Sequence, residues 1–203
     1  IVAKDFDDNG SIDPVMFAYF KVNNNSDDYE AFPVNFWGDL NGQSPLFRSK
    51  FNLFKEYGQA TKADLFTEAE LEGTKTFLGN FDRSVYVENL GEGKFEVSEL
   101  PQSTQIAPIN DISVGDFDDD GNLDALLVGN DYGNETFIGR YDASNGFLLL
   151  GNGKGDFKVV KSDESGFIAP GDAKAMTNLR GTIGTDLYII VQNKGKMLVY
   201  KRK

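Results

Sequence analysis

The sequence predicts an all-β chain of about three repeat units, each of roughly four strands, with a small helical insertion in the first unit. Three observations predict it. An acidic motif occurs twice, as Asp5 to Phe20 (DFDDNGSIDPVMFAYF) and Asp116 to Asn130 (DFDDDGNLDALLVGN), and each copy runs directly into an apolar segment. An alternating stretch with a Gly-rich turn also occurs twice, as Ser84 to Val97 (SVYVENLGEGKFEV) and Phe147 to Val160 (FLLLGNGKGDFKVV), with Gly91, Gly93 and Phe95 aligned on Gly153, Gly155 and Phe157. Two loops followed by two hairpins in the same order make an internal repeat. Between the copies, residues 32–80 break the pattern with helical spacing. The units are therefore read as 1–99, 106–160 and a degenerate 168–203, the first lengthened by the insertion at about 32–80.

Taken in order, Ile1 to Lys4 reads as the end of a strand. The first acidic loop turns at Gly10, and Pro14 to Val22 forms the next strand with Pro14 at its start, where a missing N–H is tolerated. Asn23 to Glu30 is a polar turn. In the insertion, Leu46, Phe47, Phe51, Phe54 and Tyr57 recur at helical spacing, Thr67 with Glu70 makes a capping box, and Thr61 to Phe66 adds a further turn. Its aromatics, Trp37 included, are expected to pack the insertion against the strands; the sharper alternative is a recognition module projecting from one face.

The two hairpins follow from alternation around tight Gly turns. In the third unit Ala173 to Leu179, Asp186 to Gln192 and the closing MLVYKR read as strands. Asn178-Leu179-Arg180-Gly181-Thr182 stands where the loop acids should be, and Leu179 and Arg180 cannot ligate a hard cation, so no metal is expected there. The irregular Tyr132 to Asn145 stretch brings together Arg140, Tyr141 and Asp142, either as a small binding site or as a local ion pair with a packed ring.

The acidic loops carry the chemistry. Acids or amides at every second position, Gly at the sixth and Asp at the ninth suit an oxygen-ligand loop around a hard cation. Side chains at positions 1, 3, 5 and 9 turn inward, position 7 offers its carbonyl, and Gly permits the left-handed turn. The ligands are Asp5, Asp7, Asn9, Ser11 (through its C=O) and Asp13 in the first loop, and Asp116, Asp118, Asp120, Asn122 (C=O) and Asp124 in the second. Asp8 and Asp119, at position 4, should face solvent. Position 12 is Met16 or Leu127, so the bidentate Glu of an EF-hand is absent, and the apolar run after Asp124 reads as a strand. With four carboxylates against three, the second loop should bind more tightly.

These residues resemble the FG-GAP or VCBS repeat family, whose D-x-D-x-D-G-x-x-D loops sit between strands of β-propeller blades, as in integrin α-subunits and many bacterial surface proteins. The insertion and the VGNDYGNETFIGRYDASNGFLLLGNGKGDF stretch also look like the C-terminal part of exported VCBS-repeat proteins of Bacteroidetes-type bacteria. The resemblance implies propeller-type blades, two Ca²⁺ sites and an extracellular, outer-membrane surface or periplasmic location. Three units form only a partial propeller, since closure usually takes four to eight blades. Open blade edges would then favour self-association.

Composition limits the remaining classes. A formal charge of -12, with scattered Lys and Arg, argues against nucleic acid. No apolar run is long enough to span a bilayer as a helix. The chain starts at Ile1 without Met and is read as a segment of a longer protein. Without Cys there is no thiolate chemistry, and without His neither Ser-His-Asp hydrolysis nor the common zinc sites. The expectation is a non-enzymatic, calcium-binding scaffold that recognises a protein or glycan. A carboxylate-based carbohydrate-active enzyme and a purely structural assembly module remain as alternatives.

Overall fold

The computed structural model describes residues 1–136, 138–181 and 186–202. The chain is mostly β-strand with a few short helices, arranged as several small antiparallel sheets, none of them closed. It divides into two compact units, Ile1–Phe81 and Asp82–Lys203.

In the first unit, β1 (Val2–Lys4) is the middle strand of a three-stranded sheet, between β2 (Asp13–Val15) and the strand that follows the insertion. Pro14 lies opposite Ala3 in β2, an edge strand, where its missing N–H costs no ladder bond. The single strand expected over 14–22 is instead two. At Met16 the backbone N–H donates to Asn35 Oδ1 (2.8 Å) and the carbonyl accepts from Val34 N–H (3.0 Å), so β2 ends. The chain re-enters as β3 (Phe17–Lys21), which pairs with β4 (Tyr29–Pro33) in a hairpin of its own.

The insertion is helical as expected, but in short pieces: α1 (Trp37–Gln43), α2 (Pro45–Arg48), α3 (Phe54–Tyr57), α4 (Lys62–Leu65) and α5 (Glu68–Leu71). Ser44 caps α2 with Pro45 at its first position, which separates it from α1. Thr61/Asp64 and Thr67/Glu70 close capping boxes on α4 and α5. The aromatics form the core. Trp37, Leu40, Phe47, Tyr57, Leu65 and Phe66 cluster around Val15 of β2, and Phe6 stacks on Phe66 with ring centroids 4.6 Å apart. Burial, reinforced by the charge of Asp39, pushes the Tyr57 hydroxyl up to about 12, and it donates to the Asn35 carbonyl. β5 (Lys75–Thr76) returns to pair with β1.

The second unit begins with the hairpin β6 (Val85–Gly91) and β7 (Lys94–Glu99). Its turn places Glu92 and Gly93 at φ 51° and 73°, the backbone of a type I′ turn. After a 3₁₀ turn at Gln102–Gln105 come β8 (Ile109–Gly115), β9 (Asp124–Gly129), β10 (Phe147–Gly151) and β11 (Phe157–Val160), an antiparallel meander in the order β11-β10-β9-β8. One helical turn, α6 (Ser162–Ser165), leads to a three-stranded meander of β12 (Ala173–Arg180), β13 (Asp186–Gln192) and β14 (Leu198–Lys201). β9 is buried throughout because both of its faces are covered. Leu126 and Val128 pack with Ala173, Tyr188 and Ile190, whereas Ala125 and Leu127 pack with Leu149 on the opposite face.

The four strands expected over 106–160 thus make one sheet, and the third unit supplies three strands. The stretch read as the first unit does not form one sheet, and the division between units falls within it. The 85–99 hairpin groups with the second unit, where Tyr86 meets Phe157 edge-on at 5.5 Å. The Gln105 amide fastens both hairpin ends, donating to the Ser84 and Leu100 carbonyls and accepting from Ser84 N–H. Asn178 to Arg180 lie in β12, paired with Tyr188 to Asp186. Thr182, which closes that stretch, lies outside the described residues.

Candidate metal centres

Each acidic loop is the connection of an antiparallel strand pair, and the two are built alike. The first joins β1 to β2 and the second β8 to β9. In both, the residue before position 1 pairs with the Asp at position 9: Lys4 with Asp13, Gly115 with Asp124. Position 4 is left-handed in each (Asp8 φ 58°, Asp119 φ 62°), as is the Gly at position 6 (Gly10 φ 89°, Gly121 φ 87°). Asp8 and Asp119 face solvent as expected, Asp119 pairing with Arg202. A strand, not a helix, follows each loop.

The hydrogen bonds repeat with the backbone. The N–H at position 6 donates to the carboxylate at position 1, Gly10 to Asp5 Oδ2 (2.7 Å) and Gly121 to Asp116 Oδ2 (3.0 Å). The N–H at position 7 donates to the side chain at position 5, Ser11 to Asn9 Oδ1 (2.8 Å) and Asn122 to Asp120 Oδ1 (2.7 Å). The N–H at position 2 donates to the Asp at position 9, Phe6 to Asp13 Oδ2 (3.0 Å) and Phe117 to Asp124 Oδ2 (2.7 Å). Bonds from the Asn122 backbone and then its side-chain amide hold the Asp120 carboxyl below the usual carboxylate range.

In the first loop, carboxylate oxygens of Asp5, Asp7 and Asp13 lie within 4.8 Å of one another; in the second, those of Asp116, Asp118 and Asp120 do. Each cluster contains one buried carboxylate oxygen with no hydrogen-bond partner, Asp7 Oδ1 and Asp116 Oδ1. A carboxylate oxygen withdrawn from water and given no donor is unfavourable by itself. A hard cation seated among the three acids would satisfy it, so the residues present fit Ca²⁺.

Asp124 plays a different part from Asp13. Both are buried, at 0% and 1% exposure. Asp13 Oδ2 is engaged by Phe6 N–H and its carboxylate belongs to the first cluster. Asp124 instead accepts Phe117 N–H on Oδ2 and Gly151 N–H (2.9 Å) on Oδ1, tying the second loop to the turn between β10 and β11. That turn lies so close that a Cβ on Gly151 would collide with the Leu123 carbonyl, and one on Gly153 with the Asn122 side chain. The sequence reading missed Gly151 in this role. It also missed Phe6 and Phe117, whose N–H groups hold position 9 and whose rings reach the cores. Phe117 sits 5.3 Å from the Tyr188 ring. The repeated Asp-Phe dipeptide is the signal that could have found them.

Beside the second loop a cleft of about 540 Å³ opens between its Gly121–Asp124 half, the β10–β11 turn and the β6–β7 hairpin, with Tyr86, Ile112, Leu149 and Phe157 among its apolar lining. Arg140, read from sequence with Tyr141 and Asp142, stacks instead over the Tyr132 ring at 4.8 Å, while Tyr141 pairs its backbone with Asp131. Further along the second unit, the Lys174 ammonium is itself ringed by oxygen, with Asp172 Oδ1 at 2.7 Å, Asp131 Oδ1 at 3.4 Å and the Asn130 carbonyl at 3.3 Å. Burial works to raise the Asp172 carboxyl, but hydrogen bonds from Lys174 and Asn193 outweigh it and bring the carboxyl below its usual range.

Among the described residues no helix is long and apolar enough to cross a membrane. No family model, curated protein or solved structure matches the chain.

Proposed function

We propose that the chain is a calcium-binding, non-enzymatic segment of a β-propeller, carried by an exported or cell-surface protein and serving as a scaffold for recognising a protein or glycan. The observation that carries this reading is the pair of matching loops, each leaving a buried carboxylate oxygen without a donor inside a cluster of three acids. Ca²⁺ in such a loop would neutralise part of the local charge and clamp two neighbouring strands at their junction. Weak sites, of the order of 10⁻⁴ to 10⁻³ M, suffice for a structural ion outside the cell.

Support for the blade reading comes from the second unit, where a four-stranded meander packs one face against a following three-stranded meander. Support for recognition comes from the cleft beside the second loop, whose volume falls in the range of small-ligand sites. The test is a glycan and extracellular-protein array probed with this chain, with calcium and with chelator. Specific binding lost on chelation ties the ion to the recognising surface or its fold; binding that survives assigns the ion to stability alone. An array without specific binding in either condition removes the recognition role.

A further inference from the structure

Four Asn-Gly steps occur in the chain, at Asn9, Asn41, Asn145 and Asn152. Asn-Gly is the step most open to deamidation, because Gly offers no side chain to hinder attack of its own nitrogen on the preceding amide. The structure separates the four. Asn41-Gly42 lies inside α1, where the backbone is held in helical geometry. Gly146 is buried, and its Cβ position is crowded by Phe167 and Ala169. Asn152 has a donor on its carbonyl from Lys154 N–H, but that carbonyl also accepts from Asp156 N–H and the amide donates to Asp156 Oδ2, which holds the side chain at both ends.

Asn9-Gly10 is exposed, and nothing lies within 4 Å of the Gly10 Cβ position. Its two reacting groups are also already addressed. The Gly10 N–H donates to the Asp5 carboxylate at 2.7 Å, a proton acceptor placed on the attacking nitrogen. The Asn9 side-chain carbonyl accepts from Ser11 N–H at 2.8 Å, a donor placed where negative charge develops. These are the two elements that assist acyl transfer: a base on the nucleophile and a donor on the oxygen.

We propose that Asn9 is a self-modifying site, at which the metal-free first loop promotes its own deamidation. Gly10 nitrogen gives its proton to Asp5 and bonds to Asn9 Cγ. The Cγ–Nδ2 bond breaks, Nδ2 leaves as ammonia carrying the proton that Asp5 had taken up, and a five-membered succinimide remains. Water then opens either carbonyl, giving aspartate or isoaspartate at position 9. Aspartate would give the first loop the acids of the second at positions 1, 3, 5 and 9. Isoaspartate adds a methylene to the backbone and breaks the two-residue spacing. The second loop is the internal comparison, with the same contacts around Asp120-Gly121 but a carboxylate in place of the amide.

Protection by calcium rests on the function proposed above, since it requires Asp5 to be a ligand. Incubation at neutral pH with chelator or with Ca²⁺, followed by peptide mass mapping and isoaspartate detection, tests both parts. With chelator, Asn9 should be converted about tenfold faster than Asn41, Asn145 or Asn152, and Asp5→Asn should slow it by a similar factor. Equal rates at the four sites, or no slowing in a folded Asp5→Asn variant, overturn the proposal. If that variant does not fold by circular dichroism, the comparison of four sites in the unaltered chain decides alone. Fast conversion at Asn9 that Ca²⁺ does not slow upholds the modification and overturns calcium binding by the first loop.

Discussion

Replacing Asp124 by Ala should destabilise the second unit by roughly 2–5 kcal/mol in the absence of calcium, a buried donor losing its acceptor at about 1–3 kcal/mol and a part-buried one at about 1–2 kcal/mol. The side chain has no exposure and accepts from the part-buried Phe117 N–H and the buried Gly151 N–H, so its removal leaves both amides without their acceptor. Asp124→Asn keeps one acceptor and should cost about half as much. Urea unfolding with chelator present gives the comparison directly. A midpoint for Asp124→Ala within error of the parent would show that the loop and the β10–β11 turn are held together by something else.

Calcium should raise the melting temperature, and the paired change Asp116→Ala with Asp118→Ala should remove most of that rise. At about 10 mM free calcium, a site of 10⁻⁴ to 10⁻³ M stabilises by roughly 1.4–2.7 kcal/mol. For a unit of this size that corresponds to a shift of roughly 3–10 °C. Asp116 and Asp118 belong to the second cluster, and Asp116 carries its unpartnered oxygen. Three acids gather in each loop, but the second is expected to dominate on charge, because Asp120 is a carboxylate where the first loop has the Asn9 amide and Asp124 adds a further negative charge alongside the cluster. Differential scanning calorimetry with and without calcium measures the effect. A rise unchanged in the double variant, but abolished by Asp5→Ala with Asp7→Ala, would reverse the order of the two loops.

What could be read from the sequence was local. Acids at every second position with Gly at the sixth fix the backbone of a loop within nine residues, and both copies fold with the same left-handed positions. Alternation around Gly turns likewise delivered the hairpins at 85–99 and 147–160. The capping box at Thr67 was equally legible, because the cap and its partner lie three residues apart, whereas Thr61 with Asp64 reads from the sequence only as a further turn.

The rest depended on partners far along the chain. Nothing near Met16 signals that Asn35 will take its N–H and split the expected strand. The grouping of the 85–99 hairpin with the second unit rests on Gln105 and on the meeting of Tyr86 with Phe157, neither of which any periodicity carries. Helical spacing over 46–57 could not show that Ser44 and Pro45 would start a one-turn helix ending at Arg48. In the second loop, Asp116, Asp118 and Asp120, which the two-residue spacing singles out, lie together in the fold. That spacing could not show that both oxygens of Asp124 accept backbone N–H groups, one of them from a turn 27 residues away.

Crystals grown from calcium-containing solution and measured for anomalous scattering put the claim that matters most to a direct test. The expected density is one calcium peak inside each loop, ligated by Asp5, Asp7, Asn9, the Ser11 carbonyl and Asp13 in the first and by Asp116, Asp118, Asp120 and the Asn122 carbonyl in the second, with Asp124 alongside. Loops without a peak, their carboxylates turned outward to solvent, would contradict the account.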